Sequence, residues 1–140
     1  MDRLRFDAYI RRFNAEDPTA FDEFLAPDVT VQNGGLRYQG RQAMKDHYAR
    51  IWGRMKETIR LTSFVCDGQA LSAGMRTHFE ALVDDGHTIF GSIRRGECFD
   101  YHGVVMYRIE DGLLAGIEVA YLSFTKTDLN GIVHSIGLPH

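Results

Sequence analysis

Apolar residues recur at helical spacing over the start of the chain and at a period of two over most of its second half. Leu4, Phe6, Tyr9, Ile10 and Phe13 share one helical face, which predicts an amphipathic helix over residues 3–14. Asp17-Pro18 restarts the chain, because aspartate caps helix N-termini and proline suits the first helical position. Phe21, Phe24 and Leu25 form the apolar face of this second, short helix, and Pro27 ends it. Val29-Thr30-Val31 reads as a short strand and Asn33-Gly34-Gly35 as a turn, with Leu36 to Gln39 returning beside it. From Arg41, the stripe Met44, Tyr48, Ile51, Met55 predicts a third helix, with Ala43, His47 and Trp52 on its other apolar edge.

The remainder reads as strands. Thr58 to Cys66 is rich in β-branched and aromatic residues and stops at Asp67-Gly68, a turn dipeptide. Ala70 to Val83 is the second run, Cys98 to Ile109 the third and Leu113 to Thr125 the fourth. Ser92 to Gly96 belongs to a loop or irregular hairpin, and Asp111-Gly112 joins the last two runs. The tail from Asp128 to His140 carries no periodic pattern. Helices followed by a curved antiparallel sheet make an α+β cone with a closed pocket. At 140 residues the expectation is one domain spanning 1–140.

Composition narrows the function. The net charge of −3 argues against a nucleic-acid binder, which needs a basic face. No apolar run reaches the roughly 18 residues of a membrane span, and the first residues lead into a helical pattern with no signal core. These features point to a soluble, cytoplasmic protein. Cys66 and Cys98 read as free thiols inside strands, with a cross-strand disulfide the other option.

Three stretches resemble the nuclear transport factor 2-like (cystatin-like) superfamily, and within it the SnoaL-like polyketide cyclases and ketosteroid isomerases. They are Ala26-Pro27-Asp28-Val29-Thr30-Val31, Tyr38-Gln39-Gly40-Arg41-Gln42-Ala43, and Tyr107 to Leu114 with its Asp111-Gly112 turn. The resemblance implies a cone with three helices and a homodimer formed through the sheet. It also implies a small hydrophobic molecule as partner, and no cofactor. Its functional residues carry over unevenly. The isomerases' oxyanion tyrosine falls on Tyr9, but their general base falls on Asn33 and their second acid on Val104. The tyrosine–aspartate pair of scytalone-dehydratase-like enzymes falls on Phe13 and Asn14. The last-strand carboxylate of SnoaL-type cyclases has only Glu118 to match it, on the face opposite Tyr121. Limonene-epoxide-hydrolase-like sites are approached by Arg76 and His78-x-Glu80, but their last-strand aspartate falls on Val119.

Aligning the strands with the isomerase hairpin puts Arg76, His78 and Glu80 on the pocket face, together with Asp100, His102, Val104 and Met106, and with Ile117, Val119 and Tyr121. The opposite set in the second run, Thr77, Phe79, Ala81 and Val83, is more apolar, which a dimer through the outer face would accommodate. On this reading His78 or His102 is the general base, oriented by Asp100 or Glu80. Arg76 and Tyr9 stabilise negative charge on an enolate. Asn33, His47, Glu80, Val104, Val119 and Tyr121 bind substrate. The function expected is a cofactor-free isomerase, cyclase or dehydratase acting on a small apolar carbonyl or polyketide-like compound. The alternative is a non-catalytic ligand-binding or dimerisation module. Two histidines with a carboxylate would suit iron, but no metal-ligand spacing supports a metal site.

Overall fold

The computed structural model describes residues 1–137; the last part of the tail lies outside the described residues. Helix α1 spans Arg3–Asn14, with Asp2 as its cap accepting from the Arg5 N–H. Its stripe is buried at Phe6, Tyr9, Ile10 and Phe13, as the spacing predicts. Helix α2 (Thr19–Phe24) runs directly into strand β1 (Leu25–Asn33), which hairpins into β2 (Leu36–Gln39). Pro27 sits in a stretch of β1 where pairing with the neighbouring strand is interrupted, so its missing N–H breaks no ladder bond there.

Helix α3 (Arg41–Ala49) is shorter than the stripe predicts. Gly53, at φ 87°, turns the chain, and Met55 becomes the first residue of β3 (Met55–Cys66). The sheet continues through β4 (Ala70–Ala81), β7 (Cys98–Glu110) and β8 (Leu113–Thr127). A separate two-stranded hairpin, β5 (Asp85–Thr88) and β6 (Gly91–Ile93), lies between β4 and β7. A short β9 (Val133–Ser135) pairs with the end of β8, giving structure to a tail whose sequence has no period.

The fold is α+β, with strand order β2-β1-β8-β7-β4-β3. The sheet is mixed rather than wholly antiparallel, because β1 runs parallel to β8. The free edge of β3 is covered from α1. The Asn14 side chain donates to the Ile59 carbonyl at 2.9 Å and accepts from the Ile59 N–H at 2.8 Å, as a neighbouring strand would. Aromatic rings from all three helices fill the wide end of the cone. Phe13 meets Tyr48 and Trp52 edge-on, and Phe21 stacks on Trp52 at 5.8 Å. Cys66 and Cys98 are both free thiols.

Candidate functional site

Alternation along each strand decides which residues enter the cone. In β4, Met75, Thr77, Phe79 and Ala81 are buried, while Arg76, His78 and Glu80 are exposed. In β7, Phe99, Tyr101, Val105 and Tyr107 are buried, while Asp100 is exposed and His102 and Val104 are half-buried. The expectation that Arg76, His78, Glu80, Asp100, His102 and Val104 line the pocket is therefore corrected. All six stand on the outer face of the sheet. The reason is energetic: the opposite set is the apolar one, and turning Arg76, His78, Glu80 and Asp100 inward would strip several charges of water.

His78 and Asp100 do meet, as direct cross-strand partners with Nδ1 and Oδ1 2.7 Å apart. Both side chains are about half exposed, at 50% and 51%. A pair of this kind contributes about 0–1 kcal/mol. Replacing His78 and His102 together by alanine is expected to leave ligand binding and turnover within about twofold of the parent, and Tm within a few degrees. A complete loss of turnover with the fold intact would return the chemistry to the outer face.

The cone encloses a cavity of about 100 Å³. A dry cavity of about 150 Å³ takes one benzene ring, so this space suits a small ring or several waters, and a larger ligand must displace part of the wall. Five of the expected residues line it: Tyr9, Asn33, His47, Val119 and Tyr121. The structure joins two of them, since the Tyr121 hydroxyl donates to Asn33 Oδ1. His47, in the last turn of α3, is buried and packs on Tyr38 at 5.2 Å and Tyr48 at 5.0 Å. A register shift between Gly103 and His102 leaves Leu122 as an extra residue in β8. That bulge brings Phe124 to the inner face after Tyr121. It does not reach Glu118, which stays exposed on the outer side.

The sequence pattern does not mark one further residue of the cavity. Glu57, in β3 opposite Phe79, is only 5% exposed and lines the pocket. Its Oε2 is buried without a hydrogen-bond partner. Burial, with a smaller contribution from the nearby Glu16 carboxylate, pushes its pKa up from 4.5 to about 8. Near neutrality Glu57 is therefore mostly protonated, a carboxylic acid held in an apolar cone. The tyrosines around it are likewise pushed up: burial dominates for Tyr9, Tyr38 and Tyr48, and Glu57 adds to each. These hydroxyls keep their protons and act as donors. Tyr101, which crosses Tyr121 edge-on at 4.5 Å, presents a second buried atom without a partner, its hydroxyl.

The β5–β6 hairpin closes one wall. Phe90 at its tip lines the cavity and touches Phe79, Phe99 and Phe124 at 4.9–5.2 Å. No Lys or Arg is among the residues lining the cavity. Among the described residues, no three His, Cys, Asp or Glu side chains are grouped to hold a metal ion. No helix among them is long and apolar enough to cross a membrane.

Comparison with known proteins agrees with this fold. A family model described as a SnoaL-like domain matches residues 6–117. A candidate polyketide cyclase from Pseudomonas putida is 25% identical with a TM-score of 0.68, over 91% of each chain. An epoxide hydrolase of Mycobacterium tuberculosis, described as LEH-like, is 15% identical with a TM-score of 0.67, over 91% of this chain and 83% of that one. Rv0760c of the same organism, solved in complex with estradiol-17β-hemisuccinate, is 16% identical with a TM-score of 0.67, over 91% of this chain and 94% of that one. No curated protein matches the sequence.

Proposed function

The chain belongs to the SnoaL-like family, and from that premise we propose that its cone takes up a small, uncharged, largely apolar carbonyl compound and moves a proton on it without a cofactor. The observation that carries this reading is Glu57: a carboxyl wholly inside an apolar cavity, with one oxygen unpartnered and its proton retained at neutral pH. A group so placed is suited to act as a general acid. It gives its proton to the carbonyl oxygen as the neighbouring carbon loses one. His47 also lines the cavity, and in this reading its imidazole takes the proton from carbon. Negative charge that builds on that oxygen before the proton arrives is met by the hydroxyl of Tyr9, which lines the same cavity close enough to Glu57 to feel its charge.

Exchange at carbon tests this without knowledge of the natural substrate. α-Tetralone incubated with the protein in D₂O is expected to gain deuterium beside its carbonyl faster than in buffer, followed by NMR, and Glu57→Gln is expected to slow the gain at least about 100-fold. A second reading, binding without turnover, is favoured by the steroid derivative bound to Rv0760c on a similar fold. It predicts saturable binding of α-tetralone, seen through the single Trp52 beside Tyr48, with no accelerated exchange.

The outer sheet face supports a homodimer as part of this proposal. Val65, Met106 and Leu122 are 56–70% exposed there, an apolar patch that solvent does not favour. Leu122→Asp is expected to shift the mass in solution from dimer to monomer; an unchanged mass would place the interface elsewhere.

A further inference from the structure

Four buried side-chain polar atoms among the described residues have no hydrogen-bond partner. Two have local explanations. Glu16 Oε1 lies 3.5 Å from the Lys56 ammonium, and the Trp52 indole is enclosed by the rings of Phe13, Phe21 and Tyr48. The other two, Glu57 Oε2 and the Tyr101 hydroxyl, both belong to the cavity wall. They stand on different strands, β3 and β7, with β4 between them. Glu57 is level with Phe79 and Phe99, whereas Tyr101 leans over Gly103, its hydroxyl 2.6 Å from where a Gly103 Cβ would be. The two atoms therefore approach the cavity from separate places on its wall.

We infer that the ligand of this cone carries two oxygen functions set apart on an apolar ring body, one received by Glu57 and the other by the Tyr101 hydroxyl. The inference rests on the reading of the cone as a ligand site and goes further, by naming the ligand's chemistry. Leaving a buried polar atom unpaired is costly, and a fold keeps such atoms where something pairs with them. Protonated Glu57 and Tyr101 each donate, so both ligand atoms must be able to accept. A hydroxyl or a carbonyl serves at either end; an ammonium does not. Between the ends the ligand meets Met75, Thr77, Val105 and Phe90, which asks for a ring system rather than a polar chain.

The test uses 2,6-dihydroxynaphthalene against 2-naphthol, and hydroquinone against phenol as a shorter pair, titrated into the protein. In at least one pair the two-oxygen probe is expected to bind about tenfold more tightly than its one-oxygen partner, and Tyr101→Phe to erase that preference while still binding the one-oxygen probe. Without ligand, Tyr101→Phe is expected to melt no lower than the parent, because it removes an unpaired group. Equal binding within both pairs, a preference that survives in Tyr101→Phe, or a lowered melting temperature would each overturn the inference, the last by showing that the hydroxyl has a partner within the protein or a bound water. Failure of all four probes to bind would remove the ligand-site reading along with it.

Discussion

Glu57→Gln is expected to lower turnover at least about 100-fold while leaving the cone folded, because general acid–base groups contribute roughly 10²–10⁴-fold. Glutamine keeps the shape of the side chain and can still donate a hydrogen bond, so ligand affinity falls far less than turnover. The pH dependence gives the stronger test. The acid form of Glu57 is the working form, and it is lost as pH rises through about 8. Parent turnover should therefore fall above that pH, and the residual turnover of the variant should lack that limb. Turnover that instead rose through the same range would make ionised Glu57 a base and overturn the acid role.

The same substitution should change stability in the opposite direction. Unfolded, the carboxyl titrates near 4.5; folded, near 8. Between these values the native state holds a proton that the unfolded chain has released. Glu57 therefore makes stability decline as pH rises from about 4.5 to about 8, and the decline levels off beyond. Each pKa unit corresponds to about 1.4 kcal/mol, so the variant should exceed the parent by a few kcal/mol at pH 8 and match it near pH 4.5. Urea melts at the two pH values measure this. Parallel pH profiles for parent and variant would show that the Glu57 carboxyl is not desolvated.

Glu57 sits at a point where the local pattern of the sequence is ambiguous. Helix α1 was legible because its apolar stripe is continuous and its caps are local. Met44, Tyr48, Ile51 and Met55 keep helical spacing across a real boundary at Gly53, so the pattern predicts too long a third helix and Glu57 falls between two predicted elements. The available signal was that glycine, followed by Met55, Glu57, Ile59 and Leu61 alternating at strand period. The inner face of β8 was legible at Ile117, Val119 and Tyr121. The inner faces of β4 and β7 follow the apolar alternation of Thr77, Phe79 and Ala81, which overrides the resemblance to the isomerase hairpin. Tyr9, Asn33, His47, Val119 and Tyr121 do line the cavity, although their roles follow from the proposal. The parallel pairing of β1 with β8 and the bulge at Leu122 depend on long-range pairing, which local patterns do not encode.

Gly103→Ala is expected to cost about 3 kcal/mol or more and to lower Tm by roughly 10 °C. Gly103 does not have a positive φ, so the reason is space rather than backbone strain. A Cβ there would lie 2.2 Å from the Ala120 carbonyl oxygen, 2.6 Å from the Tyr101 hydroxyl and 2.7 Å from its ring. The carbonyl belongs to the paired backbone of β8 beside the Leu122 bulge, and the Tyr101 ring is wedged against Tyr121. Neither can yield without moving the wall that carries Asn33, Tyr101 and Tyr121. Gly74 makes the contrast. A Cβ there would approach the hydroxyls of Ser63 and Thr62 at 2.5 and 2.6 Å, but these are side-chain ends that can turn away, Ser63 giving up only the bond it accepts from the Gly74 N–H, so Gly74→Ala should cost about 1–2 kcal/mol. Adding Tyr101→Phe to Gly103→Ala should recover only part of the loss, since the carbonyl contact remains. Full recovery would locate the clash in the hydroxyl alone, and equal melting of the two alanine variants would show that the close approach of β7 to β8 at Gly103 does not hold. In the fraction of Gly103→Ala that remains folded, the two-oxygen probes should lose their advantage over the one-oxygen probes, because the residue that makes room for Tyr101 is also the one that aims its hydroxyl.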